Sequence, residues 1–416
     1  MFKSEIIDLV FLLSLTAMWL ALFYHAFVTV KGYEYFKFIQ AQGEEMLVTL
    51  QDLPGVSVLV PAKNEEQVLE ATLNALLELD YPKDRIELVI LNDGSTDNTK
   101  KILDEYAAKY SRIKPVHIPV TEQCHGKAAV LNEGLKHSKY DLLVVFDADN
   151  VPEILSVQYL VRALLKDEKF AAVCGKIRTL NRNKNLLTRF ANIEFIVHQW
   201  LLQGGRWRAH RIALLPGTNY VIRRDALLKA GSWDPKALTE DTELSLRLFT
   251  LGYTIAFFPL ANSWEQEPED WVVWRRQRLR WIQGNKYIVK RFLVDKSFRK
   301  ANFANFFYMF VMYYALVLFI ALSDIIFILG LLGLAKVSFL WPLVAMWAFA
   351  IAIFTLEIMI ALTCEVGEAT WSNFGLAVLM YFTYCQQWLY VALKSFVVAR
   401  NGKKKVFWDK TQRFKV

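Results

Sequence analysis

The chain has 416 residues, of which 54% are hydrophobic and 22% charged, with a mean hydropathy of +0.23. That is too apolar for an ordinary soluble enzyme, yet the near-normal charge confines the apolar excess to a few segments and argues against a pure transporter. The net charge of +8 points to anionic headgroups or an anionic substrate, not to nucleic acid.

In chain order, Leu9 to Val30 is an apolar run with only His25 as a potential charge and no small-residue cleavage site, so it reads as a retained membrane helix within residues 1–32. Lys31 and Lys37 follow it, whereas Lys3 is offset by Glu5 and Asp8, which places the next domain in the cytoplasm. Residues 48–281 read as an α/β domain with a parallel sheet. Strands at Val56–Val60, Ile86–Leu91, Val116–Ile118 and Leu142–Phe146 alternate with helices at Glu65–Leu79, Asp97–Tyr110, Gly126–Lys136 and Ile154–Leu165. A basic stretch within 282–304 interleaves Tyr287, Ile288 and Phe292 with Lys286, Lys290 and Arg291, and reads as a membrane-surface helix. Two membrane helices are expected within 306–363. Residues 374–398 carry Thr383, Gln387, Tyr390 and Lys394 at helical spacing, so they are expected to lie flat at the interface, with 399–416 a cytoplasmic tail. Glu365 and Glu368 sit awkwardly with that placement. Cys124, Cys174, Cys364 and Cys385 read as reduced thiols.

Parallel α/β sheets bind ligands at the carboxyl ends of their strands. The first strand here runs into Pro61-Ala62-Lys63-Asn64-Glu65-Glu66, the second into Asn92-Asp93-Gly94-Ser95, and the fourth into Asp147-Ala148-Asp149. No GxGxxG or GxxxxGK[ST] loop is present, which disfavours dinucleotide and P-loop chemistry. Two carboxylates one residue apart after an apolar strand suit Mg²⁺ or Mn²⁺ holding a diphosphate, although Asp149 as a helix cap explains the same pair. Asp93 is placed to accept from a nucleobase or ribose. Lys127 stands near a helix start, as either a phosphate contact or a surface residue.

With Thr239-Glu240-Asp241 and Gln277-Arg278-Leu279-Arg280-Trp281 further along, the sequence resembles the membrane-embedded processive family-2 glycosyltransferases, the group of cellulose, hyaluronan, chitin and poly-N-acetylglucosamine synthases. The resemblance implies a GT-A type nucleotide-sugar domain with transmembrane and interfacial helices. It implies that Pro61, Asn64, Glu65, Asp93, Lys127, Asp147 and Arg280 line the donor site and that Asp147 and Asp149 hold the metal. Glu240 and Asp241 would be catalytic, Asp241 as general base, and Gln277, Arg280 and Trp281 would line the acceptor end. Trp408-Asp409-Lys410-Thr411-Gln412-Arg413 is similar to the gating element of these synthases, with Lys410 and Arg413 reaching the diphosphate. The expected donor is UDP-glucose or UDP-N-acetylglucosamine, and the acceptor a growing polysaccharide. Single transfer to a lipid-linked acceptor in the bilayer is the competing expectation, and a homo-oligomer is left open.

Overall fold

The computed structural model describes residues 4–45, 52–119, 126–310, 316–334 and 340–400. Its centre is an eight-stranded sheet in the order β3-β2-β1-β4-β7-β6-β8-β5. Four parallel strands form one half: β1 (Val56–Ala62), β2 (Ile86–Asp93), β3 (Ile113–Ile118) and β4 (Leu142–Val145). The residues of β2 and β4 are buried throughout, as helices on both faces require: α2 (Leu69–Leu77), α3 (Thr99–Lys109) and α4 (Gly126–His137) connect these strands.

The expectation of a parallel sheet is corrected beyond β4. There β7 (Tyr220–Arg223) runs antiparallel between β4 and β6 (Phe170–Thr179), β8 (Thr254–Glu265) is parallel to β6, and β5 (Val151–Pro152) pairs antiparallel with β8. The sheet is therefore mixed. Between β5 and β6 lies α5 (Ser156–Leu164). The reversal follows from a long excursion after β6. There α6 (Leu186–Ile196), a π-helical stretch at Val197–Gly204 and α7 (Gly205–His210) run on without a break before the chain re-enters the sheet. After β7 come α8 (Arg224–Lys229) and α9 (Glu240–Thr250).

The first helix, α1 (Ser4–Gln42), is about 58 Å long at 1.5 Å per residue, far more than the ~30 Å hydrocarbon core. Its second half is part of the domain: Tyr35 and Ile39 are in the core, and Tyr35 donates to the Phe257 carbonyl at 2.6 Å. Close approach of α1 to the start of α7 depends on Gly205, where a Cβ would come within 2.2 Å of the Val28 carbonyl.

Helix α10 (Trp271–Val294) runs unbroken through the boundary expected at residue 281, so Gln277 and the basic residues that follow share one rod. Then come α11 (Lys296–Phe310), kinked at Asn302, and α12 (Leu316–Leu331), α13 (Leu340–Thr363), α14 (Trp371–Phe382) and α15 (Tyr384–Arg400). By length and composition, three helical stretches among the described residues could cross a membrane: Glu5–Gln42, Val344–Thr363 and Trp371–Ser395. Leu318–Leu331 is a shorter apolar helix. The third stretch breaks at Thr383 (φ −125°, ψ −72°). Its polar stripe meets protein: Gln387 accepts from Arg275 of α10 at 2.8 Å, and the same guanidinium lies over the Tyr390 ring.

Glu365 and Glu368, which fit poorly with a cytoplasmic loop by sequence, are buried against the catalytic domain. Glu365 accepts from Lys176 (2.8 Å), Arg178 and Trp200 (2.8 Å), and Glu368 from Arg182 (3.1 Å) and Asn192 (3.0 Å). The turn after α13 is thus fastened to β6. Removing one partner of a buried pair strands the other charges, so Glu365→Ala is expected to cost about 3 kcal/mol or more, read as a lower thermal midpoint of the detergent-solubilised protein.

Candidate active site

The parallel register puts the polar strand ends side by side. Ala62 faces Asn92 across β1 and β2, and Leu59 faces Val145 across β1 and β4, so the residues after β2 and β4 flank the end of β1. Asp93 is buried there, with its carboxylate 3.0 Å from Lys63 Nζ. Lys63 was not singled out by sequence, since one lysine in a loop carries no pattern. Asn64 adopts a left-handed backbone (φ 53°) and spends its side-chain oxygen on the Thr96 N–H at 2.7 Å. Glu65 takes Thr99 Oγ1 on its own N–H at 2.8 Å. Both fasten the β1 loop to the β2 loop, while Pro61 is half-buried near the end of β1. Asp97, just before α3, accepts from the Thr99 and Glu66 N–H groups.

The catalytic carboxylates of the sequence reading converge on Lys127. Its Nζ is 2.5 Å from Asp147, 3.7 Å from Glu240 and 2.8 Å from the Gly217 carbonyl, which accepts from it. These residues come from the start of α4, the end of β4, the start of α9 and the loop before β7, so the fold alone assembles them. Asp147 and Asp149 are held by their backbone: the Asp147 N–H donates to Thr218 Oγ1 (2.9 Å), and Thr72 of α2 donates to the Ala148 carbonyl (2.7 Å). Gly217 and Thr218 were missed by sequence; a glycine directly before a polar loop residue was the one available signal.

Burial of the site sets its electrostatics. It pushes Glu240 up to about 7, opposed by Lys127 and reinforced by Asp241. Asp241 is raised as well, again first by burial, against the Thr242 N–H and Lys127. For Lys127 burial works against the charge, but Asp147, Glu240 and Asp241 outweigh it and hold the ammonium above its ordinary range. A protonated lysine between Asp147 and Glu240, with Glu240 poised near neutral pH and Asp241 raised beside it, is suited to general base work. Gly217 has φ +85°, and a Cβ there would stand 3.0 Å from Asp241 Oδ2. Gly217→Ala is therefore expected to cost about 1–2 kcal/mol and to displace the carboxylate, lowering turnover far more than nucleotide affinity in parallel activity and binding titrations.

Gln277, Arg280, Trp281 and Gly284 fall on one face of α10. Gly284 carries that face onto α9, where a Cβ would come within 2.4 Å of Thr239, the residue before Glu240. Trp281 lies one turn before Gly284 on that face. Arg280 is half-buried, and Gln277 accepts from Arg278 at 2.9 Å. Arg278, to which the sequence assigned no role, is fully buried. Lys410 and Arg413, with Trp408 and Thr411, lie outside the described residues, as does Cys124; Cys174, Cys364 and Cys385 are free thiols.

Asp147 and Asp149 offer hard oxygen donors. Among the described residues no group of three or more His, Cys, Asp and Glu side chains is arranged to hold a metal by itself. Two carboxylates whose remaining positions fall to phosphate oxygens and water fit Mg²⁺ or Mn²⁺ bound together with the substrate. Lys127 on Asp147 marks the same spot as one that takes positive charge.

A model described as "Glycosyltransferase like family 2" matches residues 54–284. A probable glycosyltransferase of Bacillus subtilis, YdaM, is 44% identical over 97% of this chain and 97% of its own. A poly-β-1,6-N-acetyl-D-glucosamine synthase of Staphylococcus epidermidis is 31% identical over 65% of this chain and 66% of its own. Among solved structures, a mannosyltransferase of Pyrobaculum calidifontis, in complex with GDP-mannose and Mn²⁺, superposes with a TM-score of 0.57 at 18% identity. That superposition covers 90% of this chain and 99% of the other. It is a likeness of fold.

Proposed function

The chain belongs to glycosyltransferase family 2 and is a glycosyltransferase, and from that premise we propose that it is an inverting, processive β-glycosyltransferase extending a polysaccharide at the membrane from a UDP-sugar. The observation that carries this reading is the Lys127 cluster, which joins the diphosphate end of the site at Asp147 to the Glu240–Asp241 pair at the start of α9, the helix on which α10 packs through Gly284. UDP-N-acetylglucosamine and UDP-glucose are the donors expected, the first also because of the poly-N-acetylglucosamine synthase among the relatives.

In the reaction the acceptor hydroxyl oxygen attacks the anomeric carbon of the donor, the bond to the diphosphate oxygen breaks, and the hydroxyl proton passes to Asp241. Asp241 is half-buried and so reachable by the acceptor, whereas Glu240 is buried behind it. Asp93, with Lys63, lies where the nucleoside would sit. Asp147 and Asp149 would hold Mg²⁺ or Mn²⁺, which when bound neutralises the departing diphosphate. Trp281 offers an aromatic face to the acceptor pyranose. The tail, with Lys410 and Arg413, is assigned the closure of the donor site.

For the membrane arrangement, α1, α12 and α13 are assigned as crossings, with the catalytic domain cytoplasmic and α14–α15 at the interface. The clamp on Glu365 and Glu368 supports this, because it returns the end of α13 to the face of the catalytic domain. The test is purified full-length protein in detergent with Mg²⁺ or Mn²⁺ and a panel of labelled UDP-sugars and GDP-mannose, with products sized. A ladder of long chains from one UDP-sugar supports the reading. A single transfer recovered in the lipid fraction would replace it with a lipid-acceptor enzyme.

A further inference from the structure

Glu194 of α6 is a meeting point for three helices. Its Oε2 accepts from Arg278 Nη2 of α10 at 2.7 Å and from the Tyr384 hydroxyl of α15 at 2.7 Å, and its Oε1 accepts from Trp388 Nε1 at 2.6 Å. Arg278 has no solvent exposure, and its guanidinium lies 4.0 Å from the centre of the Trp281 ring. Trp388 packs on the same ring at 6.5 Å. Two of the groups that confine Trp281 are thus set in place by one carboxylate, which does not itself touch the ring. The Tyr384 hydroxyl also accepts from Trp274 Nε1 at 2.9 Å, so the network extends along α10.

A guanidinium over an indole face contributes through the ring quadrupole, and that interaction depends on placement. Arg278 also reaches the buried Glu267, but at the longer distance of 3.4 Å, so a guanidinium that loses Glu194 must shift toward Glu267 or recruit water. We propose that Glu194 is a positioning residue for the acceptor site: by anchoring Arg278 and Trp388 it fixes the Trp281 ring on which the acceptor sugar stacks, and it ties that ring to α15. The proposal rests on the acceptor role given to Trp281 above. In it Glu194 acts on the polymer end and not on the donor, because its hydrogen-bond donors among the described residues, Arg278, Tyr384 and Trp388, include none of the residues assigned to the donor site.

The test compares Glu194→Gln with the unaltered full-length protein, using the UDP-sugar that the unaltered protein turns over. Three quantities are read: polymer formed, UDP released by transfer to water, and affinity for UDP. The expected result is a loss of polymer synthesis of about tenfold or more and a shorter product, with UDP affinity and transfer to water changed less than about twofold. Glu194→Asp, which keeps the charge, should recover part of the chain length. Equal losses in polymer synthesis and in transfer to water would overturn the proposal in favour of a merely structural role, as would unchanged polymer length. If Glu194→Gln does not fold, Tyr384→Phe removes one donor to the same carboxylate while keeping the ring, and it should show the same split in smaller measure; its absence there overturns the proposal. Failure of the functional reading itself is separate, since it would show in the unaltered protein as no turnover of any UDP-sugar.

Discussion

Asp241→Asn is expected to lower turnover by about 10²-fold or more while leaving affinity for UDP within about twofold. The amide keeps the shape and the hydrogen bond from Thr242 but cannot take the acceptor proton. Turnover and UDP binding measured side by side decide it, and equal losses in both would move Asp241 into nucleotide binding. The neighbouring carboxylate adds a pH dependence. Burial keeps a proton on Glu240 up to about pH 7 and raises Asp241 beside it, so turnover should rise with pH through neutrality. Glu240→Gln removes one negative charge and should shift that limb downward. The stability effect has the opposite sense. A carboxyl whose folded value of about 7 exceeds its ordinary 4.5 binds a proton on folding. The stability it contributes is therefore present below pH 4.5 and is lost as pH rises through 7. The thermal midpoint should show this fall in the unaltered protein and less of it in Glu240→Gln.

Lys127→Met should be the most damaging single change at the site. The methionine fills the space but leaves Asp147, Glu240 and Asp241 facing one another without a cation. A buried charge cluster stripped of one partner costs about 3–5 kcal/mol, and the carboxyl pair, no longer held down by the ammonium, should titrate at still higher pH. The variant is expected to be inactive at pH 7. Its melting deficit should be large at pH 8 and smaller at pH 5, where protonation relieves the repulsion. Mg²⁺ or Mn²⁺ should return part of the stability by replacing the missing charge at Asp147. A melting temperature equal to that of the unaltered protein at pH 8 would show that Lys127 does not bridge the carboxylates.

The sequence by itself determined the parts whose signal is local. Strands β1, β2 and β4 were legible because strands covered on both faces are continuous apolar runs, and the polar residues that end them, Asp93, Asp147 and Asp149, mark the ligand edge of any such sheet. The order of those residues with Thr239-Glu240-Asp241 and Gln277 to Trp281 was enough to indicate the family. The apolar stretches that form α1 and α13 were legible for the same reason, since each is a continuous apolar run long enough to cross a membrane.

Only the tertiary structure decided what those residues do to one another. Sequence period reports whether a residue is buried, but not which distant group it is buried against. Lys127 read equally as a surface residue until the fold set it among carboxylates from two other segments. Arg278, given no role by the sequence, is a fully buried partner of Glu194, 84 positions away. The glutamates at 365 and 368 looked misplaced because their compensating cations, Lys176, Arg178 and Arg182, lie far back in the chain. The antiparallel half of the sheet was equally hidden, because a four-residue strand such as β7 is too short to carry a period, and its direction follows from where the long helical excursion before it returns the chain.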